Sequence, residues 1–283
     1  MTISATNPPE REASRPRGRA GGALSSAFLK RLPIFAALFT LTAIFGLWQI
    51  ASARGWAPPV FLPSPERVWK AARTAMEVGY ANATLGQHAA ASLGRVMAAL
   101  LATLLIAVPV GFVLALSPVG RGLLDPIIEF IRPLPPLAYL PLVIIWFGIG
   151  EGSKILVISV AMFAPIAIST AFGVGSASES QIRAARSFGA SRIQTLRHVL
   201  LPAALPSILS GVRIALGAGW TTLVASELVA ASRGLGYMIQ SAAQFLVTDM
   251  VIVGILAISL FAFGFEILFR LVERFWSPWS RRR

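Results

Sequence analysis

The segment VMAALLATLLIAVPVGFVLALSPVG, residues 96–120, separates Arg95 from Arg121 and holds no charged residue. Its 25 residues exceed the length of about 20 that an α-helix needs to cross a bilayer core. They are apolar all round, so they do not read as an amphipathic surface helix. Five further runs follow the same rule. One lies between Arg31 and Arg54, one over Pro133–Gly150 and one over Ile155–Ser178. Another covers Val199–Ser226, broken only by Arg213, and the last is Met250–Phe265, extended past Glu266 by Ile267–Phe269. The fold class this predicts is all-α: a polytopic membrane protein with about six transmembrane helices.

Composition agrees. Of 283 residues, 55% are hydrophobic and 13% charged, against about a quarter charged in a soluble domain. The mean hydropathy is +0.71. A soluble enzyme, a disordered chain and a secreted disulfide scaffold are poor readings of such a balance. There is no cysteine, which excludes disulfides and cysteine-based metal sites or catalysis. His88 and His198 are the only histidines and have no acid or metal pattern beside them, so neither is given a catalytic role. No repeat of fixed period is visible.

The net charge is +13. In a soluble protein this would suggest nucleic acid, but in a membrane protein cytoplasmic loops accumulate Lys and Arg. With six spans both termini lie on one side. Placing them inside puts 16 basic residues in inner segments and six in outer ones, with Arg95, Arg132 and Arg213 in or at the ends of spans. The bias predicts both termini on the cytoplasmic side of the membrane. Nucleic-acid binding loses its support.

The expected organisation has a disordered basic tail over 1–31, suited to anionic lipid, and a first span over 32–54. Basic residues, an apolar run and Ala51-Ser52-Ala53 resemble a signal with a cleavage site, but the run is longer than a signal core of about 7–15 residues. It is therefore expected to stay as a span. An outer loop over 55–86 carries a short interfacial helix starting at Pro65 with Ser64 as its cap. A core over 87–273 contains a cytoplasmic loop over 178–204, and a basic tail closes the chain over 274–283.

That loop is the most informative segment. Arg183-Ala184-Ala185-Arg186-Ser187-Phe188-Gly189 reads as a helix ending in a glycine turn. Ser191 caps a second helix in which Ile193, Leu196, Val199 and Leu200 make an apolar stripe, and Pro202 is expected to start the next element. The segment resembles the loop of bacterial ABC-importer permeases with the pattern E-A-A-x-x-x-G-x(9)-I-x-L-P. Ala184, Ala185, Gly189, Leu201 and Pro202 match it, Val199 replaces the isoleucine, and Arg183 stands where the family usually has glutamate. The resemblance runs from about Gln87 to Trp279. It is strongest in LDPIIE (124–129), RPLPPLAYLPL (132–142) and WFGIGEGSK (146–154), which look like the branch handling sulfonates, taurine and nitrate. GWTTLVASELVAASRGLG (219–236) and FLVTD (245–249) are similar to the taurine-transport permeases, a subgroup that also tends to carry arginine at the position of Arg183.

The resemblance implies a type-1, MetI-like helical bundle that pairs with a second copy of itself. It implies ABC ATPase subunits docked on the loop, ATP and Mg held by those subunits and none by this chain, and a solute-binding protein delivering from outside. The arginine at 183 implies a compensating acid on the partner surface. The chain has no G-x-x-x-x-G-K-[ST] phosphate loop. Gly148-Ile149-Gly150-Glu151-Gly152-Ser153-Lys154 has the wrong spacing and reads as a turn. The chain is thus expected to be no enzyme, with the energy coming from another subunit.

Ionisable groups in a bilayer usually face protein or an aqueous path. Glu129 and Arg132 are three apart and suit an internal ion pair. Alternatively Arg132 lines the path and attracts an oxyanion. Pro133, Pro135, Pro136 and Pro141 predict a kinked or partly unwound third span buried in protein. Trp220, Thr221, Thr222 and Glu227 are further candidates for the path, with packing as the alternative. Gly211, Gly217 and Gly219 permit close helix approach. Arg213 is expected to snorkel, and Glu266 to pair with Arg270. An ion-coupled secondary transporter would show paired intramembrane acids or inverted repeats, and neither is evident. An intramembrane enzyme lacks a nucleophile, base or metal cluster, and a passive channel would need no ATPase.

Overall fold

The computed structural model describes residues 22–276, with side chains described over 35–229 and 231–275. Most of the two expected basic tails therefore lies outside the described residues. Two compact units are present, residues up to Trp56 and from Ala57 onward. The first contains α1, Gly22–Ala53, whose Phe35–Ala53 stretch is long and apolar enough to span a membrane. Residues 22–31, expected in the basic tail, are helical and belong to α1.

The second unit is a helical bundle. It contains α2 (Pro65–Glu77), α3 (Leu85–Leu116), α4 (Pro118–Ile131), α5 (Pro136–Phe147), α6 (Glu151–Gly175), α7 (Glu179–Ser187) and α8 (Arg192–Thr195). A π-helical turn, Leu196–Leu200, leads into α9 (Leu201–Ala230), followed by α10 (Leu235–Gln244) and α11 (Thr248–Trp276). α2 starts as its sequence predicts: Pro65 is in the first turn and the Ser64 hydroxyl accepts from the Arg67 N–H at 3.3 Å. On its exposed face, hydrogen bonding to Lys70 holds the Glu66 carboxyl below its ordinary range.

Helices α3, α6, α9 and α11 are each long and apolar enough to span. Their lengths follow from local chemistry. A Thr84–Gln87 capping box starts α3. Pro118, with Ser117 capping it, forces a new helix where the sequence suggested that the span continued. The start of α3 corrects the expected boundary at Arg95, since the helix runs through that residue.

Helix α6 is the centre, packed along α3 on one side and α9 on the other. Small residues set these crossings. A methyl on Gly111 would lie 2.6 Å from the Ala167 carbonyl, one on Gly173 2.8 Å from the Ala204 carbonyl, and one on Gly211 2.5 Å from Ser169 Cβ. Gly219 meets Met162 in the same way, whereas Gly217 faces open space. Three of the helix-packing glycines are thus Gly111, Gly173 and Gly211, of which the sequence singled out only the last.

The region of the expected third span is a bent helix pair, either a broken span or a re-entrant loop. α4 and α5 meet at 104°, bent where Pro133, Pro135 and Pro136 remove three backbone donors. The bend agrees with the expected kink, but the expected burial does not hold within this chain. Phe130, Leu137, Ile145, Trp146 and Phe147 are all exposed.

Candidate functional sites

The loop between α6 and α9 is built from two capping boxes. Ser178 and Gln181 start α7, and Ser191 and Gln194 start α8. Gly189, at φ +80°, makes the turn between them in a conformation that side chains resist. Phe188, 92% exposed, and Ile193, 78% exposed, project from the turn, and beside them lies a shallow depression lined by Ala185, Gly189 and Val199. Ala184 lies within α7, and its carbonyl accepts from the Phe188 N–H at 3.1 Å. Arg183 pairs across one turn with Glu179 at 3.4 Å, both exposed.

Pro202 stands in the first turn of α9, where the next element was expected to start. Residues 192–229 form one span-length helix. The π-turn, in which the Leu201 N–H bonds Leu196 O, absorbs the donor that Pro202 lacks. α8 is therefore continuous with the membrane helix.

A cavity of ≈ 440 Å³ opens between the α4–α5 bend, α6 and α9. Arg132, Tyr139, Ser169, Thr221 and Thr222 supply its polar lining. Arg132 and Glu129 are both exposed, and neither forms an ion pair among the described residues. The expected pair is thus corrected: α4 ends at Arg132, and nothing buries the two side chains together. Thr221 Oγ1 donates to Ala218 O at 2.9 Å and Thr222 Oγ1 to the same oxygen at 2.8 Å. Thr221 is exposed and its hydroxyl keeps acceptor capacity, whereas Thr222 is buried. One wall thus offers a guanidinium and another offers an acceptor.

Trp220 and Glu227 are elsewhere. Trp220 is buried against Phe265, with ring centroids 6.0 Å apart, and its Nε1–H has no hydrogen-bond partner among the described residues. Glu227 is sealed in the bundle.

Residues 107–278 match the family described as "binding-protein-dependent transport system inner membrane component". The chain belongs to this family. The permease is 54% identical over 241 residues to the taurine transport system permease protein TauC of Escherichia coli, covering 85% of this chain and 88% of that one. It is 39% identical to the putative aliphatic sulfonates transport permease protein SsuC of the same organism, covering 86% and 90%. Its fold matches that of the MetNI methionine ABC transporter in an inward facing conformation, with a TM-score of 0.59 at 20% identity over 68% of this chain and 95% of that one. The permease is accordingly a multi-pass inner-membrane transport subunit with the MetI-like bundle.

At the end of the bundle away from the Gly189 loop, the permease holds a polar cluster that its sequence did not reveal. Arg95, 5% exposed, bonds Glu151 through Nε at 2.6 Å and Nη2 at 2.9 Å, and Glu227 through Nη1 at 2.5 Å. The same Nη1 donates to Arg233 O at 2.7 Å, and Lys154 adds a bond to Glu151 at 2.8 Å. Ser92 Oγ donates to Glu227 and accepts from the Leu235 N–H at 2.9 Å. Gly234 N–H donates to His88 Nδ1 at 3.0 Å, which leaves the proton on Nε2 to meet Tyr80 O at 2.9 Å. His88, Ser92 and Arg95 share one face of α3 at spacings of four and three. That periodicity was the available signal.

Near the opposite end, Arg213 pairs with Glu266 at 2.5 Å and Glu273 at 3.1 Å instead of snorkelling alone. Glu266 also takes the expected bond from Arg270 at 2.8 Å.

Proposed function

We propose that this permease is the membrane subunit of an ATP-driven importer whose solute is taurine or a closely related small sulfonate. The similarity to TauC along 85% of the chain carries the choice of solute. The α7–Gly189–α8 loop supports the energy source. It exposes apolar side chains at the end of a rigid helix, and the chain has no phosphate loop of its own. ATP and Mg belong to ABC ATPase subunits that dock on this loop.

In this reading both termini and the loop over 178–204 face the cytoplasm, as the distribution of basic residues favours. Two copies enclose the path across the core over 87–273, and a solute-binding protein delivers from outside. Closure of the ATPase dimer pushes α7 and α8, and the continuous helix through the π-turn tilts α9 against α6. The solute then meets the cavity. Arg132 attracts the sulfonate and the Thr221 oxygen accepts from the ammonium.

The test is uptake by vesicles holding the permease, the ATPase and the binding protein. Taurine uptake should require ATP and no ion gradient. Gradient-driven uptake without ATP refutes the reading in favour of a secondary transporter. Arg132→Gln should cut uptake about tenfold, the worth of one charge-assisted hydrogen bond, with ATP hydrolysis retained. Unchanged uptake removes Arg132 from the path.

A further inference from the structure

We propose that the cluster around Arg95 is a latch. It clasps the N-terminus of α10 in one state of the transport cycle and releases it in another, with Arg95 and Glu227 as positioning residues. The proposal rests on the importer reading for when release occurs.

The geometry is that of a cap supplied from other helices. α10 has no side-chain cap of its own, since Gly234 stands at its cap position. Four consecutive backbone groups, Arg233 O and the N–H groups of Gly234, Leu235 and Gly236, are each bonded to a side chain of α3 or α9. The Glu227 carboxylate accepts from Gly236 N–H at 2.8 Å, placing negative charge at a helix N-terminus. The fit is close. A methyl on Gly234 would lie 2.4 Å from the Glu227 carboxyl carbon, and one on Gly236 would lie 2.9 Å from Glu227 Cβ.

Stability alone does not call for such a cluster, because well-packed apolar residues commonly replace a buried ion pair without loss. Charges kept within spans usually serve a path or a moving part. This cluster is also built to part on one side. The Glu151 side chain is 59% exposed and holds Arg95 by two bonds, whereas Glu227 is fully buried. When α10 lifts, Arg95 stays paired with Glu151, and water entering from that side replaces the bonds to Glu227 and to the segment 233–236. α10 then loses the bonds that cap its N-terminus.

The chain has no cysteine, so one introduced thiol reports alone. Met238 on α10 and Ala107 on α3 are both fully buried, the second in the main core. Met238→Cys would be labelled with a membrane-impermeant maleimide in vesicles carrying the whole importer, at rest and trapped with vanadate and ATP. Labelling should be slow at rest and roughly tenfold faster when trapped, the factor set by losing a charge-assisted bond. Equal rates in an importer that shows ATP-driven uptake overturn the latch and leave the importer reading intact. ATP-independent uptake instead overturns that reading, and a second arm that needs no ATP still decides the latch. Adding Arg95→Gln should raise the resting rate of Met238→Cys roughly tenfold, with Arg95→Lys between the two. Ala107→Cys should stay unlabelled throughout. An unchanged rate at Met238→Cys, or fast labelling at both positions, overturns the latch.

Discussion

Replacing Gly173 by alanine tests the link between helix packing and the docking loop. An alanine in a helix interior is ordinarily favoured over glycine by about 1 kcal/mol. Here the added methyl would stand 2.8 Å from Ala204 O, 2.9 Å from Ala204 Cα and 2.7 Å from Ser207 Cβ. Carbon atoms sit at about 3.5–4.0 Å, so α6 and α9 must separate by roughly 0.7 Å. Two of the three obstacles are backbone and cannot rotate away. Overpacking costs about 1–3 kcal/mol, and two backbone clashes place this one at about 2–3 kcal/mol, which against the propensity gain leaves a net loss of about 1–2 kcal/mol.

Gly217→Ala in α9 is the matched control. It meets nothing within 4 Å and should keep the favourable sign. Thermal unfolding of the purified importer should place the midpoint of Gly173→Ala about 2–8 °C below the parent, and that of Gly217→Ala at or above it. Because α6 and α9 flank the loop around Gly189, uptake per ATP hydrolysed should fall in Gly173→Ala alone. Equal midpoints for the two variants would refute the claim that this crossing is at its limit of approach.

Gly189→Val has open space around it, so its cost is conformational: φ +80° opposes a β-branched residue by about 1–2 kcal/mol. The turn should distort while the bundle stays folded, seen as loss of ATPase co-purification at a thermal midpoint lowered no more than that of Gly173→Ala; full ATP-driven uptake would count against docking there. Arg213→Gln removes the cation that Glu266 and Glu273, two turns apart on one face of α11, share, whereas Arg270→Gln removes an exposed partner from a carboxylate that keeps Arg213. Arg213→Gln should lower the midpoint measurably and Arg270→Gln by an amount close to zero, since exposed pairs are worth about 0–1 kcal/mol.

Much of the site was legible because its signals are local. The Ser191 cap, the Gly189 turn and the small residues Ala184 and Ala185 lie within one short stretch, and helix rules apply to them directly. Arg132, Thr221 and Thr222 were singled out for their chemistry alone, and the structure brings these three to one cavity. Glu227 was singled out by the same logic, yet it lies in the Arg95 cluster. A carboxylate's sequence neighbours do not say whether it faces a path or another helix.

The sequence by itself determined that this chain lives in a bilayer, roughly where its spans run, and where a helix pair interrupts them. Those properties follow from apolar length, composition and caps, which act over a few residues. Tertiary structure alone decided where charge is tolerated. Arg95 broke the apolar run on paper, but α3 passes through it because Glu151 and Glu227, 56 and 132 residues away, neutralise it. The cost of a buried charge depends on partners that only the folded chain brings within hydrogen-bonding distance.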